Sequence, residues 1–486
     1  MRASYVSAPC VGAACLMMSS RTVKRSEEGC RRVSVVRAVV SAVRSTPRRI
    51  GEWRHANEER HRCGDVWRTY ASVPSSLVSD GGERAAGVAA AAAGAAVEES
   101  TKSRVVLTAE DVVARFRVAG SRQASFLETA SSKYKGFYSS VYGGFVTDYA
   151  LMAVPMDDHM VHRGHAVFDT TNLMEGYGWG FDAHLDRFMT SAKIARIDIA
   201  RLPIFEGDSC AANLVEMADT TEEAIATMVR ARIRELAVDL IAFTGLRDGE
   251  IRFWMSSGVG SFSLGPYDCV EPSLYMMCMA KDTHKLKSEP QKPLRLITTS
   301  VPMKPNPYCI VKSTNYLQNC HGQMDAHNQD ADYGIFTYTG ACGNSFISEG
   351  PNCNVAFIDT NGVLIIPSFE QALRGVTLLR TIELVERKLA AGAFTHITGV
   401  CEKEVKLDDV KTMMTADDGP GGVFTECMIV SSGHAATPVS HWDGIDVSFR
   451  GDKVDGLYGP GAAELRRALV DDMDPESDFM APIAYD

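Results

Sequence analysis

Four short segments in the second half of this 486-residue chain carry residue types that can act on one another. Val311-Lys312-Ser313-Thr314-Asn315-Tyr316-Leu317 sets a lysine at the start of an apolar helix. On its own such an amine is a weak signal, because most lysines are solvated surface groups. Phe346 to Val355 (FISEGPNCNV) ends a strand in Glu349-Gly350 and returns through a polar loop to the next strand. Its carboxylate is either a satisfied strand-edge acid or the partner of a buried cation. Leu373-Arg374-Gly375-Val376-Thr377 precedes an amphipathic helix. Gly before Thr there is an ordinary N-cap or a phosphate cradle, because the first helical turn leaves N–H groups free. Ile429-Val430-Ser431-Ser432-Gly433 ends a strand in small residues, a turn that lets an anion approach backbone amides.

Positioning these segments requires alternating strands and helices. Leu107 to Phe116 has helical spacing, and ordered structure begins in earnest near Tyr134. Gly144 to Val154 reads as a hairpin, and so do Ala166 to Met174 and Gly178 to Phe181, with a turn at Glu175-Gly176-Tyr177. Asp182 is the expected N-cap of a helix to Ile194, with Leu185, Phe188 and Ala192 on one face. Thr220 to Phe243 is a long helix, followed by strands at Ile251 to Met255 and Leu274 to Met279. The charged stretch Lys281 to Lys292, with Pro290, reads as an interdomain connection. Beyond it the pattern predicts a strand at Leu294 to Val301, a helix after Lys312 and a hairpin at Tyr333 to Ser348. A second hairpin spans Val355 to Ile366 and turns at Asn361-Gly362; a helix at Thr377 to Leu389 and a strand at Glu426 to Val430 follow. The domains expected are 134–281 and 294–486, joined by 282–293.

Composition narrows the function. The net charge of −11 argues against nucleic-acid binding, which shows a basic patch or stripe. Residues 1–70 hold 14 Lys and Arg against 6 Asp and Glu, a net of +8, so the remainder carries about −19. The first 26 residues have no acid, and Arg, Ser, Val and Ala dominate, the composition of an organelle transit peptide or of a disordered basic tail. Residues 1–105 are accordingly read as a transit peptide and low-complexity linker, Ala-rich from Ala85 to Val97, with a plastid preferred to a mitochondrion. No apolar run reaches the roughly 18 residues that span a bilayer. The 13 cysteines show no metal-ligand spacing and read as buried reduced thiols.

In their order along the chain, the lysine, glutamate, glycine-threonine and serine-glycine segments resemble the signature of the class IV aminotransferases. Asp158 to Asp169 (DHMVHRGHAVFD) resembles that family's N-terminal motif, and His184-Leu185-Asp186-Arg187 follows at the family's spacing. The resemblance covers roughly residues 136–486 and is nearest to plant and algal D-amino-acid aminotransferase-like proteins. It implies a mixed α/β, two-domain fold of type IV, pyridoxal 5′-phosphate as cofactor, no metal, and a homodimer in which a loop of the neighbouring subunit closes the site. Lys312 would carry the cofactor as a Schiff base and Glu349 would face the pyridine nitrogen, keeping it protonated. Arg187, Val376, Thr377, Ser432 and Gly433 would grip the phosphate, and Tyr316 would donate to the ring hydroxyl. Phe168 stands beside the substrate where several relatives have tyrosine. Arg252 and Arg163 are candidate anchors for a substrate carboxylate, Arg252 being equally readable as a structural ion-pair residue. The implied reaction is a ping-pong transfer of an amino group from an amino acid, D-configured by the likeness to the plant group, to a 2-oxo acid. The alternatives are a branched-chain L-amino-acid aminotransferase and a 4-amino-4-deoxychorismate lyase.

Overall fold

The computed structural model describes residues 107–122, 133–205, 221–415 and 423–485. The proposed leader and linker lie outside the described residues. Alternating apolar residues in the first half build an antiparallel sheet from β1 (Tyr134–Ser139), β2 (Gly144–Val146), β3 (Ala166–Met174), β4 (Tyr177–Trp179), β5 (Gly249–Ser256) and β6 (Ser273–Ala280). The order is β4-β3-β5-β6-β1-β2. Its centre is the β3–β5 ladder, which runs without a break from Ala166 opposite Ser256 to Leu173 opposite Gly249. The turn from β3 to β4 is Glu175-Gly176, with φ of 55° and 89°, the left-handed pair that suits a two-residue hairpin. Tyr177 is thus already in the strand, and Phe181 belongs to the next helix.

The helices Phe181–Ile194 and Glu222–Thr244 cover this sheet and bury Leu185, Phe188, Ile233 and Leu240 against Phe253 and Met276. Thr221 caps the second helix by accepting from Ala224 N at 3.3 Å. Asp182 does not cap the first. Gly180, at φ 64°, takes that position, and the Asp182 carboxylate instead accepts from Arg230 and Arg234 at 3.1 Å each, tying the two helices together. The hairpin expected over Gly144 to Val154 is also corrected. β2 stops at Val146 because Asp148 accepts from Ala150 N at 3.0 Å and starts a 3-10 turn over Tyr149–Leu151; β2 pairs with β1 instead.

The second sheet contains β7 (Leu294–Thr298), β8 (Tyr333–Ile335), β11 (Asn354–Asp359), β12 (Val363–Pro367), β13 (Gly399–Lys403), β14 (Phe424–Ser431), β15 (Ala435–Trp442) and the short β16 (Ile445–Asp446). Its order is β13-β12-β11-β14-β15-β7-β8, with β16 on β15. The β11–β12 hairpin turns at Asn361-Gly362 as expected, with Gly362 at φ 79°. The hairpin expected over Tyr333 to Ser348 divides. β8 joins β7 in parallel, and only β9 (Thr337–Thr339) and β10 (Ser345–Ile347) pair with each other.

Helices Val376–Ala390 and Pro460–Asp471 pack on this sheet and are joined by a buried ion pair. Arg380 Nε donates to both oxygens of Asp472, at 3.1 and 3.0 Å, and Trp179 of the first sheet donates to the same carboxylate at 3.1 Å. The charged stretch after β6 forms the short helix His284–Ser288, held at its end by Arg466, which donates to the carbonyls of Leu286 and Glu289.

Two hydrogen-bonded connections tie the two halves together where chemistry is expected. The lysine segment lies antiparallel on the start of β3: Phe168 N donates to Lys312 O, and Thr314 N to Ala166 O, each at 2.9 Å. Asn172 Nδ2 donates to Ser432 O at 2.7 Å. Far along the chain, β17 (Met480–Pro482) adds to the free edge of β4, and Tyr485 donates to Leu246 O at 2.6 Å. Among the described residues no helix is long and apolar enough to cross a membrane.

Candidate active site

The inward-pointing residues of β3, β5, β11 and β14, the lysine loop and the start of the helix Val376–Ala390 enclose a cavity of about 530 Å³. Lys312 projects into it. Its ammonium lies 3.5 Å from the Tyr316 hydroxyl, to which it donates, and 4.9 Å from the centre of the Phe168 ring. The Phe168 and Tyr316 rings meet edge to face, 5.1 Å apart. Desolvation, then the nearby Arg187 charge, brings the Lys312 pKa down to about 8, against the pull of Asp169 and Glu349. A substantial fraction of this amine is therefore unprotonated, and nucleophilic, at mildly alkaline pH.

Glu349 faces the same cavity and is 6% exposed. One oxygen accepts from Leu373 N at 2.9 Å. Burial raises its pKa to about 7, with the Leu373 N–H and the charges of Lys304, Lys312 and Arg187 opposing. This is a carboxylate with unused acceptor capacity, suited to a protonated nitrogen.

The other end of the cavity offers donors that could hold an anion. Gly375 precedes the helix Val376–Ala390 without any side-chain cap, so the first-turn amides of Val376 and Thr377 face the cavity unblocked. A Cβ on Gly375 would strike the Asn354 amide oxygen, so only glycine permits this close approach. The turn Ser432-Gly433 lines the same region. Arg187 stands beside it, its Nε and Nη2 donating to Asp169 at 2.8 and 2.7 Å and its Nη1 to Arg374 O at 3.3 Å. Asp169 is fully enclosed; burial alone would raise its pKa, but Arg187 and His184 hold it well below the usual carboxylate range. Burial lowers the His184 pKa against the pull of Asp169, whose carboxylate lies 2.8 Å from Nδ1.

At the mouth, Arg252 donates to Thr170 Oγ1 at 3.0 Å and to Glu250 at 3.4 Å, while Lys281 meets the other oxygen of Glu250 at 3.4 Å. Arg252 thus lines the cavity and is ion-paired at once. Arg163 is not brought to the cavity. It donates to the carbonyls of His162, Phe262 and Ser263, bracing the loop after β5, and is exposed.

With this geometry in place, comparison with known proteins is decisive. A model of the amino-transferase class IV family matches residues 166–442, more than half of the chain. The chain belongs to the class IV aminotransferase family. It is 35% identical over 348 residues to the chloroplastic D-amino-acid transaminase of Arabidopsis thaliana, covering 71% of this chain and 79% of that protein. A putative branched-chain-amino-acid aminotransferase of Methanocaldococcus jannaschii is 29% identical over 240 residues, 48% of this chain and 70% of that one. The fold is shared with the Escherichia coli branched-chain amino acid aminotransferase, at TM-score 0.53 and 19% identity over 72% of this chain and 100% of that one. It is also shared with the branched-chain amino acid aminotransferase of Thermobaculum terrenum, solved in its PLP form. There the TM-score is 0.52 and the identity 16%, over 73% of this chain and 99% of that one.

As a class IV aminotransferase, the protein is a pyridoxal-phosphate enzyme that transfers an amino group between an amino acid and a 2-oxo acid. Its residues fit the cofactor: one cavity holds an amine of lowered basicity, an enclosed carboxylate short of partners, and a helix N-terminus opened by a glycine. Several residues of this aminotransferase's site escaped the sequence reading. Asp169 closes the quoted N-terminal motif, and a charged residue at an inward strand position was its signal. Glu250 had none because it comes from a strand far earlier in the chain; Asn354 and Lys304 lie close in sequence to Glu349 and Lys312, but nothing in their local pattern says that the side chains turn back toward them.

Proposed function

We propose that this aminotransferase acts on D-amino acids, passing their amino group to a 2-oxo acid in a ping-pong cycle with Lys312 as the cofactor-bearing residue. The observation that carries the reading is the 35% identity, over 348 residues, to a chloroplastic D-amino-acid transaminase. In this reading the Val376 and Thr377 amides, Arg187 and the Ser432-Gly433 turn bind the phosphate. Glu349 keeps a proton on the ring nitrogen, and Tyr316 donates to the ring hydroxyl. When bound, pyridoxal phosphate supplies the aldehyde that accepts amines and a protonated ring that takes up the negative charge left at the substrate α-carbon. Lys312, displaced by substrate, would carry the proton between that carbon and the cofactor. Its lowered basicity suits both directions, since the most effective proton carrier titrates near the working pH. Arg252 holds a substrate carboxylate at the mouth, and Phe168 forms an apolar wall beside it.

A second reading, a branched-chain L-amino-acid aminotransferase, is favoured by the archaeal relative. The two are separated by the visible absorption of the purified protein's bound cofactor. Loss of the band on adding D-alanine or D-methionine, but not L-leucine, is the expected result. Loss with L-leucine alone would replace the first reading by the second, and no response to any of the three would remove both.

We also infer a homodimer and a plastid location. The dimer is supported by exposed apolar residues on the loop after β5, Leu264 at 86% and Tyr267 at 92% exposure. The plastid is supported by the basic, acid-poor first 26 residues and by the chloroplastic relative. A reporter fused behind residues 1–105 that stayed in the cytosol would remove the plastid inference.

A further inference from the structure

We propose that Lys304 is a second functional lysine of this site, a positioning residue whose enclosed positive charge, lodged against the Tyr316 ring, sets the proton balance between Lys312 and Glu349. The inference rests on Lys312 as the cofactor-bearing amine.

Lys304 is 6% exposed, and its ammonium lies 4.9 Å from the centre of the Tyr316 ring. The Lys312 ammonium is 6.0 Å from the same ring centre and 3.5 Å from its hydroxyl. One tyrosine is therefore shared by two enclosed amines. Among the described residues Lys304 makes neither an ion pair nor a hydrogen bond. A buried cation left in this way is expensive, and sites that keep one do so where its field is used. The ring face gives it partial compensation.

The backbone leaves Lys304 little freedom. The segment reads Pro302-Met303-Lys304-Pro305-Asn306-Pro307, and each proline fixes its own φ. Pro305 O accepts from Tyr308 N at 2.8 Å and from Cys309 N at 3.2 Å, and Asn306 Nδ2 donates to Glu370 O at 2.8 Å. A pinned lysine in this place supplies a fixed charge to its surroundings.

The groups that feel that charge are Glu349, Lys312 and Cys309. Burial lowers the basicity of Lys304, while Glu349 and Cys309 draw it back up. Lys304 in turn favours the ionised form of Glu349 and opposes protonation of Lys312. Two ammonium groups against one tyrosine ring repel, so one amine yields its proton; a neighbouring cation is an effective means of making a lysine nucleophilic. The Arg187 charge bears on Lys312 as well, so Lys304 is the amine that stays charged. Lys312 is the one that gives up its proton and is free to attack a carbonyl. When Lys312 takes a proton from the substrate carbon, the same repulsion keeps it acidic enough to hand that proton on.

The test compares the full-length protein with Lys304→Met, which removes the charge and keeps the bulk, and Lys304→Arg, which keeps the charge. Competitive acetylation of the cofactor-free protein with acetic anhydride across pH, followed by mass spectrometry, reads the titration midpoint of Lys312 without reference to activity. Lys304→Met is expected to raise that midpoint by about one pH unit, with Lys304→Arg staying within about 0.3 unit of the parent. An unchanged midpoint in Lys304→Met, or an equal rise in Lys304→Arg, overturns the proposal. Lys304→Gln serves as a second neutral variant should Lys304→Met not fold. In the parent protein, Lys312 titrating together with the exposed lysines of the same digest overturns it as well. Borohydride treatment of the cofactor-loaded protein keeps the two readings apart. Cofactor fixed to a lysine other than Lys312 removes the underlying assignment, whereas fixation at Lys312 with no shift in Lys304→Met removes the Lys304 proposal alone.

Discussion

Glu349 shows most directly how function sets the stability of single residues here. Its folded pKa of about 7 lies above the ordinary glutamate value of 4.5, so folding favours the protonated form. The resulting stability is complete below pH 4.5 and is lost as pH rises through 7. Above that, the enclosed charge costs the cofactor-free protein roughly 3 kcal/mol. Glu349→Gln removes the titration. The cofactor-free variant should therefore be more stable than the parent at pH 8 by up to that amount, with the gap closing near pH 5, while its transaminase rate falls by roughly 100-fold or more. Urea unfolding at the two pH values checks this, and an equal gap at both would refute it. Lys312 and Glu349 were legible less from their own runs than from the order of the four segments, which resembles a family signature, and both line the same cavity. Lys304 was not: nothing in Pro-Met-Lys-Pro says that its ammonium ends against a tyrosine twelve residues on. Arg163, a cation inside a motif, drew attention in the sequence; in this chain its guanidinium donates to two carbonyls of the loop after β5 and to that of His162.

At the level of elements, the proposed phosphate site depends on how closely the helix Val376–Ala390 approaches β11. Gly375→Ala forces a methyl group onto the Asn354 amide, which itself donates to Leu373 O at 3.0 Å. Overpacking of this kind costs about 1–3 kcal/mol, and the strain falls on the amides of Val376 and Thr377. Pyridoxal phosphate should bind the cofactor-free variant roughly tenfold more weakly or worse. An absorbance titration measures the affinity, and an unchanged value would remove the Val376 and Thr377 amides from phosphate binding. The long helices were readable because their apolar spacing alone commits them to one buried face, as in Glu222–Thr244 and Val376–Ala390. The Asn361-Gly362 turn was readable because the left-handed backbone it needs narrows the choice of residue. Short strands were not. Whether Tyr333–Ile335 folds back on its neighbour or lies along β7 is decided by a partner more than thirty residues earlier, which no local pattern records.

For the molecule as a whole, the apolar loop after β5 is the feature that one chain leaves unsatisfied. Leu264 and Tyr267 stand almost fully exposed, with Phe262 at 61% and Val270 at 63%. Sedimentation equilibrium should give the mass of two chains, and the double variant Leu264→Asp, Tyr267→Asp should shift it to one; a single-chain mass for the parent would refute the dimer. The edge of the first sheet is satisfied within the chain, but only by β17. Residues up to β6 emerge from the ribosome about two hundred residues before β17, which at about 5–20 residues per second is roughly 10–40 s. Through that interval β4 presents an open row of amides and carbonyls to every other nascent chain nearby. β17 is thus the strand that ends this exposure to misassembly, and mistakes in translation near it endanger the sheet made first.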